Sequence, residues 1–271
     1  MQKLSVVIPA RDEAACIAET VRNLTDCLRK ARIEHEIVVV DDNSIDDTSR
    51  VLAMLAAETP SVRHTASLPP HGVGLAIRKG FESCTGDAVA VYMADGSDRP
   101  ADLVRFFRTM QEMGVDCVFG SRFDKGATVV NYPFLKLLLN RLGNFLIRIL
   151  FGLRYNDISN AFKLYSRQTV EGVQPILSHH FNITVELPLK AIVRGYSYTV
   201  LPNDWTNRAT GISKLKIKEM GSRYLFIVLY CLMEKWLSKG DYRRHRPLQS
   251  PVLRRAEALL SDRKNVPRSS V

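Results

Sequence analysis

Short runs of β-branched and other apolar residues alternate with amphipathic segments through the first half of the chain. The apolar runs predict strands, and the segments between them carry apolar residues at helical spacing. The predicted strands are Leu4–Pro9, Glu36–Asp41, Val62–Thr65, Asp87–Ala94 and Val115–Gly120. The predicted helices are Glu13–Ala31, Asp47–Ala57, Val73–Ser83 and Ala101–Met113. This alternation is typical of βαβ units, so we expect an α/β fold with an open, doubly wound and mostly parallel sheet.

The pattern changes after residue 133, where Pro133–Leu153 is predicted to form one long helix. Its polar residues recur at every fourth position, as Lys136, Asn140, Asn144 and Arg148. Almost all its other residues are apolar, so the helix suits either a membrane interface or the protein core. Further strands are predicted at Ala161–Tyr165 and Tyr196–Leu201, and further helices at Ser166–Val173 and Thr184–Arg194. The later apolar run Tyr224–Met233 is too short to span a bilayer unaided.

The net charge of +10 is concentrated at the C-terminal end. From Arg208 onward there are 15 Lys and Arg against 5 Asp and Glu, whereas the first 207 residues carry 23 of each. A neutral body with a basic end favours contact with a polyanion, either an anionic membrane surface or a nucleic acid; a solvated basic tail is the alternative. We expect a folded body over 1–215, an apolar and basic helical extension over 216–239, and a basic, disordered tail over 240–271.

Acidic residues follow three of the predicted strands, at the points where those strands end. The segments are Pro9-Ala10-Arg11-Asp12-Glu13, Asp41-Asp42-Asn43-Ser44-Ile45-Asp46-Asp47 and Ala94-Asp95-Gly96-Ser97-Asp98. Ligands of doubly wound sheets bind at the carboxyl ends of strands, although any one of these aspartates is equally suited to cap a helix or a turn. Gathered carboxylates repel one another unless a cation lies among them, and Mg²⁺ or Mn²⁺ prefers oxygen ligands. A nucleotide diphosphate bound with the metal fits this arrangement.

The sequence lacks the motifs of several other common kinds of site. No glycine lies in the turn after the first strand, so the G-x-G-x-x-G fingerprint of dinucleotide binding is missing, and there is no P-loop motif. The five cysteines have no C-x-x-C spacing, which argues against both a disulfide framework and a zinc site. No apolar leader with a cleavage site opens the sequence, so we expect a mature N-terminus on the cytoplasmic side.

Seven blocks along the chain resemble the family 2 glycosyltransferases. The first four are Val7-Ile8-Pro9-Ala10-Arg11-Asp12-Glu13, Val39-Val40-Asp41-Asp42-Asn43-Ser44-Ile45-Asp46-Asp47-Thr48, Gly72-Val73-Gly74-Leu75-Ala76 and Met93-Ala94-Asp95-Gly96-Ser97-Asp98-Arg99-Pro100. The later blocks are similar to the dolichol-phosphate mannosyltransferase group: Gly120-Ser121-Arg122-Phe123, Asp157-Ile158-Ser159-Asn160-Ala161-Phe162-Lys163 and Arg208-Ala209-Thr210-Gly211-Ile212-Ser213-Lys214-Leu215. Together they cover roughly residues 1–215, and the resemblance implies a GT-A-like fold for that part.

The resemblance also implies roles for individual residues. The nucleotide-sugar would contact Pro9, Ala10, Arg11, Glu13, Asp41, Asp42, Ala76, Ala94 and Asp95. The metal, Mg²⁺ or Mn²⁺, would be held by Asp95, Ser97 and Asp98. The acceptor phosphate would meet Arg122, Lys136, Asn140, Arg208 and Lys214, and the catalytic set would be Asp95, Asp157, Arg122 and Arg208. Two residues depart from the family pattern: Met93 replaces the first metal-motif aspartate, and Lys136 stands where the group has arginine.

An ionised phosphate acceptor attacks the anomeric carbon without a protein base, because its second pKa is about 6. It does need positive charge to approach a negative donor. We therefore expect inverting transfer from a GDP- or UDP-linked sugar to a polyprenyl phosphate at the cytoplasmic face of a membrane, with no nucleic-acid partner. Two alternatives stay open: a hydroxyl acceptor, with Asp157 as general base, and a noncatalytic protein that binds nucleotide-sugars.

Overall fold

The computed structural model of the protein describes residues 2–207 and 217–244. Its strands are β1 (Leu4–Ala10), β2 (His35–Asp41), β3 (Val62–Ala66), β4 (Ala88–Val91), β5 (Cys117–Ser121), β6 (Val129–Val130), β7 (Lys163–Ser166), β8 (Tyr198–Pro202) and β9 (Trp205–Thr206). Its helices are α1 (Ile17–Lys30), α2 (Thr48–Glu58), α3 (Val73–Ser83), α4 (Pro100–Met113), α5 (Phe134–Phe151), α6 (Arg167–Gly172), α7 (Ile183–Val193) and α8 (Ile217–Leu237).

Seven strands form one sheet in the order β3-β2-β1-β4-β7-β5-β8. Strand β1 is parallel to β2 and to β4, β2 is parallel to β3, and β5 is parallel to β8. Strand β7 is antiparallel to both of its neighbours, β4 and β5. The other strands of this sheet therefore share one direction, which agrees with the predicted, mostly parallel sheet.

Alternating side chains of the central strands fill two apolar layers, one on each face of the sheet. Val7, Val38 and Val40 belong to one layer, with residues of α3, α7 and α8. Ile8 and Val39 belong to the other layer, with residues of α1, α2 and α4. Both faces are covered by helices, as the near-continuous apolar composition of β1 and β2 requires.

Helix α1 begins four residues later than its apolar pattern predicts. Asp12 has a left-handed backbone with a φ of 48°. The backbone N–H of Glu13 donates to Thr48 Oγ1 at 2.9 Å. These two features hold residues 11–13 in a turn beside the start of α2 instead of in the first turn of α1. The acidic segment after β1 therefore lies at the carboxyl edge of the sheet.

Helix α5 presents a broad apolar face to the outside and its polar stripe to the protein. The exposed apolar residues of α5 are Phe134, Leu135, Leu138, Leu139, Leu142, Phe145, Leu146, Ile149 and Leu150. Asn144, from the predicted stripe, is buried instead. Helix α8 also exposes apolar side chains, at Leu225, Phe226, Leu229, Met233, Trp236 and Leu237. Within residues 2–207 and 217–244, no helix combines the length and apolar character needed to cross a membrane.

Helix α8 lies inside the predicted extension and packs into the main core. Ile227 and Cys231 are buried in the same apolar layer as β1 and β2. Glu234 forms a buried ion pair with Arg194, just after α7, at 2.7 Å. The described part of α8 is thus attached to the folded body on one side and exposed on the other. The division at residues 215 and 239 stays a prediction, and residues 245–271 of the predicted tail lie outside the described residues.

Candidate active site

A cleft of about 700 Å³ opens at the carboxyl ends of β1, β2 and β4. From the ends of these strands and the segments that follow them, it is lined by Pro9, Ala10, Arg11, Asp12, Glu13, Asp42, Met93, Asp95, Ser97 and Asp98. Its other side is formed by Arg122, Tyr132, Lys136, Asn140, Ser159, Asn160, His180, Phe181, Thr184, Trp205, Arg223 and Tyr224. The three acidic segments predicted from strand ends therefore meet in one cleft, which basic side chains also line.

The second acidic segment contributes Asp42 to the cleft lining, whereas Asp41 lies outside it. Asp42 Oδ1 accepts hydrogen bonds from Ser67 Oγ at 2.7 Å and from the Gly72 N–H at 3.1 Å. Asp41 Oδ1 accepts from the backbone N–H and the hydroxyl of Ser44 at 3.0 and 2.6 Å. Successive residues of an extended chain point in opposite directions, which separates the two carboxylates. Asp41 thus shapes the turn beneath the cleft.

Ala76 and Ala94, which were predicted to contact the nucleotide-sugar, are buried and do not line the cleft. Ala76 belongs to α3, whose start approaches the backbone of residues 178–180 closely. A side chain added at Gly74 would place its Cβ 2.4 Å from Ser178 O, and one at Gly72 would be 2.3 Å from His179 O. Both glycines are therefore required for this contact, which brings His180 and Phe181 to the wall of the cleft.

Asp95, Ser97 and Asp98 share a turn after β4. The Ser97 N–H donates to Asp95 Oδ1 at 3.1 Å. Asp98 is buried, and within the described part of the chain its Oδ1 has no hydrogen-bond partner. Burial, followed by the charge of Asp95, raises the pKa of Asp98 to about 8. The site therefore disfavours two negative charges in the absence of a cation.

This carboxylate pair fits a divalent metal. An unpartnered oxygen of Asp98 in the cleft lining, beside a second carboxylate, is the donor chemistry that Mg²⁺ and Mn²⁺ prefer. Among the described residues, no group of three or more His, Cys, Asp or Glu side chains is placed to hold a metal. Asp95 and Asp98 would then supply part of the coordination, with donor phosphate oxygens and water as the remaining ligands. Asp98 would then supply a second carboxylate in place of the one that is missing at Met93.

Arg122 is the main cation of the opposite side and is bound to Asp157 at two points. Nε donates to Asp157 Oδ2 at 2.8 Å and Nη2 donates to Oδ1 at 2.7 Å. The Arg122 backbone N–H also donates to Oδ2, at 2.9 Å. Burial opposes the charge of Arg122, but the Asp157 carboxylate outweighs it and raises the pKa of the guanidinium. Asp157 is 0% exposed, so it holds Arg122 in place and does not line the cleft.

Aromatic rings surround the Arg122 guanidinium, an arrangement that the sequence reasoning missed. Its Cζ lies 5.4 Å from the ring centroid of Phe123, 5.6 Å from Tyr132 and 5.9 Å from Trp205. Strand β9 pairs with β6, and the Thr206 N–H donates to Ser97 O at 3.0 Å. Trp205 is thus tied to the metal-side turn. Aromatic faces attract cations, so the rings hold the buried charge in the cleft.

The polar stripe of α5 connects the cleft to the loop after α5. Lys136 and Asn140 line the cleft, as predicted for residues near a phosphate. Asn140 Nδ2 donates to Ser159 Oγ at 2.8 Å, and the Ser159 N–H donates to Asn144 Oδ1 at 3.1 Å. Arg223, which the sequence reasoning missed, adds a cation from the start of α8. The predicted contacts Arg208 and Lys214 lie outside the described residues.

Fold and site together define a doubly wound α/β protein with a candidate metal site at the carboxyl edge of its sheet. The family model described as glycosyl transferase family 2 matches residues 5–173, more than half of the chain. The protein belongs to glycosyl transferase family 2 and is a glycosyltransferase.

Two curated relatives confirm the predicted resemblance to the dolichol-phosphate mannosyltransferase group. The polyprenol monophosphomannose synthase of Mycolicibacterium smegmatis is 32% identical over 222 residues, which cover 79% of this chain and 81% of the relative. The undecaprenyl-phosphate mannosyltransferase of Micrococcus luteus is 28% identical over 239 residues, which cover 86% and 96% of the two chains.

Solved structures confirm the predicted fold. Glucosyl-3-phosphoglycerate synthase of Mycobacterium tuberculosis, solved with Mn²⁺, uridine diphosphate and phosphoglyceric acid, superposes with a TM-score of 0.66 at 16% identity. The match covers 85% of this chain and 78% of that one. The same enzyme with Mg²⁺ and uridine diphosphate gives a TM-score of 0.63 at 18% identity, over 86% and 79% of the two chains. At these identities the likeness shows the fold alone.

Proposed function

We propose that the protein transfers one sugar from a nucleoside diphosphate-sugar to a polyprenyl phosphate at a membrane surface, with inversion at the anomeric carbon and with a divalent cation. The observation that carries the proposal is the position of Arg122. Its buried cation lines the same cleft as Asp95 and Asp98, and that cleft is also lined by residues of two helices with exposed apolar faces. The two curated relatives, named for polyprenol and undecaprenyl phosphate, support the same acceptor class.

The donor would lie along the acidic side of the cleft. Residues 9–13 and Asp42 line the cleft and suit the nucleoside, since carboxylates accept hydrogen bonds from ribose hydroxyls and base N–H groups. Asp95 and Asp98 would hold the cation near the diphosphate. When bound, a divalent cation neutralises the charge that develops on the departing nucleoside diphosphate. A transfer assay with GDP-linked and UDP-linked sugars distinguishes a guanine from a uracil base.

The acceptor phosphate would bind on the basic side, near Arg122, Lys136 and Arg223. One of its oxygens forms a bond to the anomeric carbon while the bond from that carbon to the β-phosphate oxygen breaks. The nucleoside diphosphate leaves with the electron pair, and no proton has to move because the acceptor is already ionised. Attack opposite the leaving group inverts the configuration.

The geometry of Asp157 disfavours a hydroxyl acceptor. Such an acceptor needs a general base within hydrogen-bond reach. Both carboxylate oxygens of Asp157 are occupied by Arg122, and the residue has no exposed surface. Asp157 is therefore a support for Arg122 in this proposal, not a base.

Helices α5 and α8 supply the proposed membrane contact. Lys136 of α5 and Arg223 of α8 line the cleft, and further along the helices Lys235 Nζ donates to Phe151 O at 2.9 Å. The two helices therefore run side by side away from the cleft, with their apolar faces exposed. An interfacial helix buries such a face in the headgroup region, which would place the lipid phosphate beside the cleft. We propose the cytoplasmic face of the membrane as the side on which this contact is made.

The test is transfer by the purified protein to polyprenyl phosphate in phospholipid vesicles. Labelled GDP-mannose, UDP-glucose and other nucleotide-sugars are offered separately, with Mn²⁺, with Mg²⁺ and with a chelator. We expect one donor to give a labelled glycosyl phosphate lipid of inverted configuration, and the chelator to abolish it. Vesicles without polyprenyl phosphate are the control. Transfer to water-soluble hydroxyl acceptors, or no product from any donor, would overturn the proposal.

A further inference from the structure

Lys163 is a fully buried lysine beneath the cleft that the proposed reaction does not use. It begins β7 and is paired with Val91 of β4 and Phe119 of β5. These two strands lead directly into the turn of Asp95 and Asp98 and into Arg122. Lys163 is 1% exposed and does not line the cleft, so it has no direct access to a substrate.

The ammonium group of Lys163 binds three backbone carbonyls. Its Nζ donates to Ile158 O at 2.9 Å, to Thr184 O at 3.2 Å and to Asn160 O. Three donors is the full number that a protonated lysine has, and a neutral amine has only two. The three carbonyls come from the loop 157–162 and from the first turn of α7. The protonated side chain therefore fastens that loop to α7 from below.

The fastened loop supports Arg122 and forms part of the cleft lining. Asp157, at its start, holds Arg122 at two points. Asn160 donates to Gly120 O at 3.0 Å and to Asn203 Oδ1 at 2.9 Å, and it lines the cleft. If the loop were released at Ile158 and Asn160, the contacts of Asp157 with Arg122 and of Asn160 with Gly120 and Asn203 would loosen. Arg122 would then lose its fixed position.

We propose that the Lys163 ammonium is a positioning group for glycosyl transfer, which orders the loop 157–162 and thereby fixes Arg122 against the reacting phosphates. The inference rests on the transfer reaction proposed above, but it concerns a residue that touches neither donor nor acceptor. Lys163 acts through the carbonyls of the loop and through Asp157.

The electrostatics of the site agree with this role and give it a pH signature. Burial lowers the pKa of Lys163 from the ordinary 10.5 to about 7, although the charges of Asp157 and Asp98 favour the protonated form and Arg122 opposes it. Loss of the third proton above neutrality would release one carbonyl. Between pH 7 and 10.5 the unfolded chain binds more protons at this lysine than the folded protein does, so this group increases stability as pH rises. A fall in turnover over that range is therefore not explained by its effect on unfolding.

The first test compares Lys163→Met with Lys190→Met. Lys190 is also fully buried, but its ammonium pairs with Glu186 at 2.6 Å, away from the cleft. We expect Lys163→Met to lower kcat by roughly 10- to 100-fold, as expected for a reacting group displaced by about 1 Å, with an unchanged KM for the nucleotide-sugar. In the wild-type protein, deprotonation of Lys163 should lower kcat as pH rises above about 7. The Lys163→Met variant should not show this contribution to the fall in kcat. Lys190→Met should lower the melting temperature and leave kcat unchanged.

A second measurement uses the unmodified protein and does not depend on activity. NMR follows the ¹³Cε signal of the lysine that titrates near neutrality and the ¹⁵Nε signal of Arg122, assigned with Arg122→Lys. We expect both signals to move with one midpoint near pH 7. An Arg122 signal that stays constant while the lysine titrates, or wild-type kcat in Lys163→Met, would overturn the inference. Absence of transfer by the wild-type protein would instead reject the proposed function and leave the NMR result standing.

Discussion

Arg122 and Asp157 form a two-point ion pair at the base of the cleft, with N–O distances of 2.8 and 2.7 Å. The two residues are 35 positions apart and belong to separate segments, one after β5 and one after α5. The pair keeps a cation in a buried position, where its attraction for phosphate is screened little by water. It also removes Asp157 from the set of groups available for proton transfer.

Replacing Asp157 with asparagine should affect both stability and turnover. Asp157→Asn leaves the Arg122 charge buried without its partner, which we expect to lower the free energy of unfolding by about 3 to 5 kcal/mol. Displacement of Arg122 should also lower kcat by roughly 100-fold. Chemical denaturation and steady-state transfer assays measure the two effects. The matched control is Glu234→Gln, because Glu234 makes a similar buried pair with Arg194 outside the cleft. Equal kcat losses in both variants would contradict the role of Arg122.

The carboxylates after β4 should control metal binding. Asp98→Asn removes the oxygen charge that is unpartnered in the described structure, and Asp95→Ala removes its neighbour. We expect each change to weaken Mn²⁺ binding by at least about 10-fold and to abolish transfer. A loss of this size is found even when the mutated residue only hydrogen-bonds to a metal ligand. Electron paramagnetic resonance of Mn²⁺, with nucleoside diphosphate present, measures the affinity. Asp26→Asn, on the exposed side of α1, is the control. Unchanged Mn²⁺ affinity in both cleft variants would place the metal elsewhere.

Glu36 should make the free energy of unfolding depend on pH in the acid range. Burial alone would raise its pKa, but hydrogen bonds from Ser5, Thr85 and Arg63 lower the pKa to about 2. Because the folded-state pKa is depressed, the stabilisation is fully present above pH 4.5 and is lost as pH falls towards 2.

The variant Glu36→Gln isolates this term. We expect it to lower the free energy of unfolding at pH 7 by about 1 to 3 kcal/mol, the cost of unsatisfied buried hydrogen-bonding groups. The difference from the wild-type protein should shrink as pH decreases from 4.5 to 2. Urea denaturation over that range measures it. A difference that is constant with pH would show that the glutamate charge is not responsible.

The exposed face of α5 should determine vesicle binding. Leu138 and Leu142 are each 53% exposed and lie one turn apart. Burying the exposed half of two leucines contributes about 1.5 to 3 kcal/mol, so Leu138→Glu with Leu142→Glu should weaken vesicle binding by roughly 10- to 100-fold. Nucleotide binding should be unchanged. Cosedimentation with anionic vesicles measures the first effect and calorimetry the second.

Met54→Glu is the matched control for this surface, since Met54 on α2 is also 53% exposed. We expect this variant to bind vesicles as the wild-type protein does. If the α5 double variant and Met54→Glu bind equally well, the membrane contact lies on another surface.

The local pattern of the sequence predicted most elements because burial imposes a period on each of them. Helix α3 has the predicted bounds, and β1 and β2 differ from theirs by one residue. The start of α1 was wrong because Thr48, from a distant segment, holds the backbone of Glu13 in a turn. The orientation of β7 was not predicted, since direction depends on which strands a segment joins and not on its own composition.

The candidate site was predicted in outline from acidic residues at strand ends. Two details required the fold. The cleft receives Asp42 instead of Asp41, because the chain direction at the end of β2 decides which carboxylate points outward. Tyr132 and Trp205 surround Arg122, although each looks like an ordinary apolar position in the sequence.

The sequence by itself determined the α/β architecture, the meeting of three acidic segments at one edge, and the family. These properties follow from short-range periodicity and from motifs that are read one segment at a time. The tertiary structure decided which polar groups are hydrogen-bonded to each other. Asp157 accepts hydrogen bonds from Arg122, and the Lys163 ammonium donates to three carbonyls. The tertiary structure also decided that the apolar side of α5 faces outward. Such outcomes depend on contacts between segments far apart in the chain, and those contacts exist only after the chain has folded.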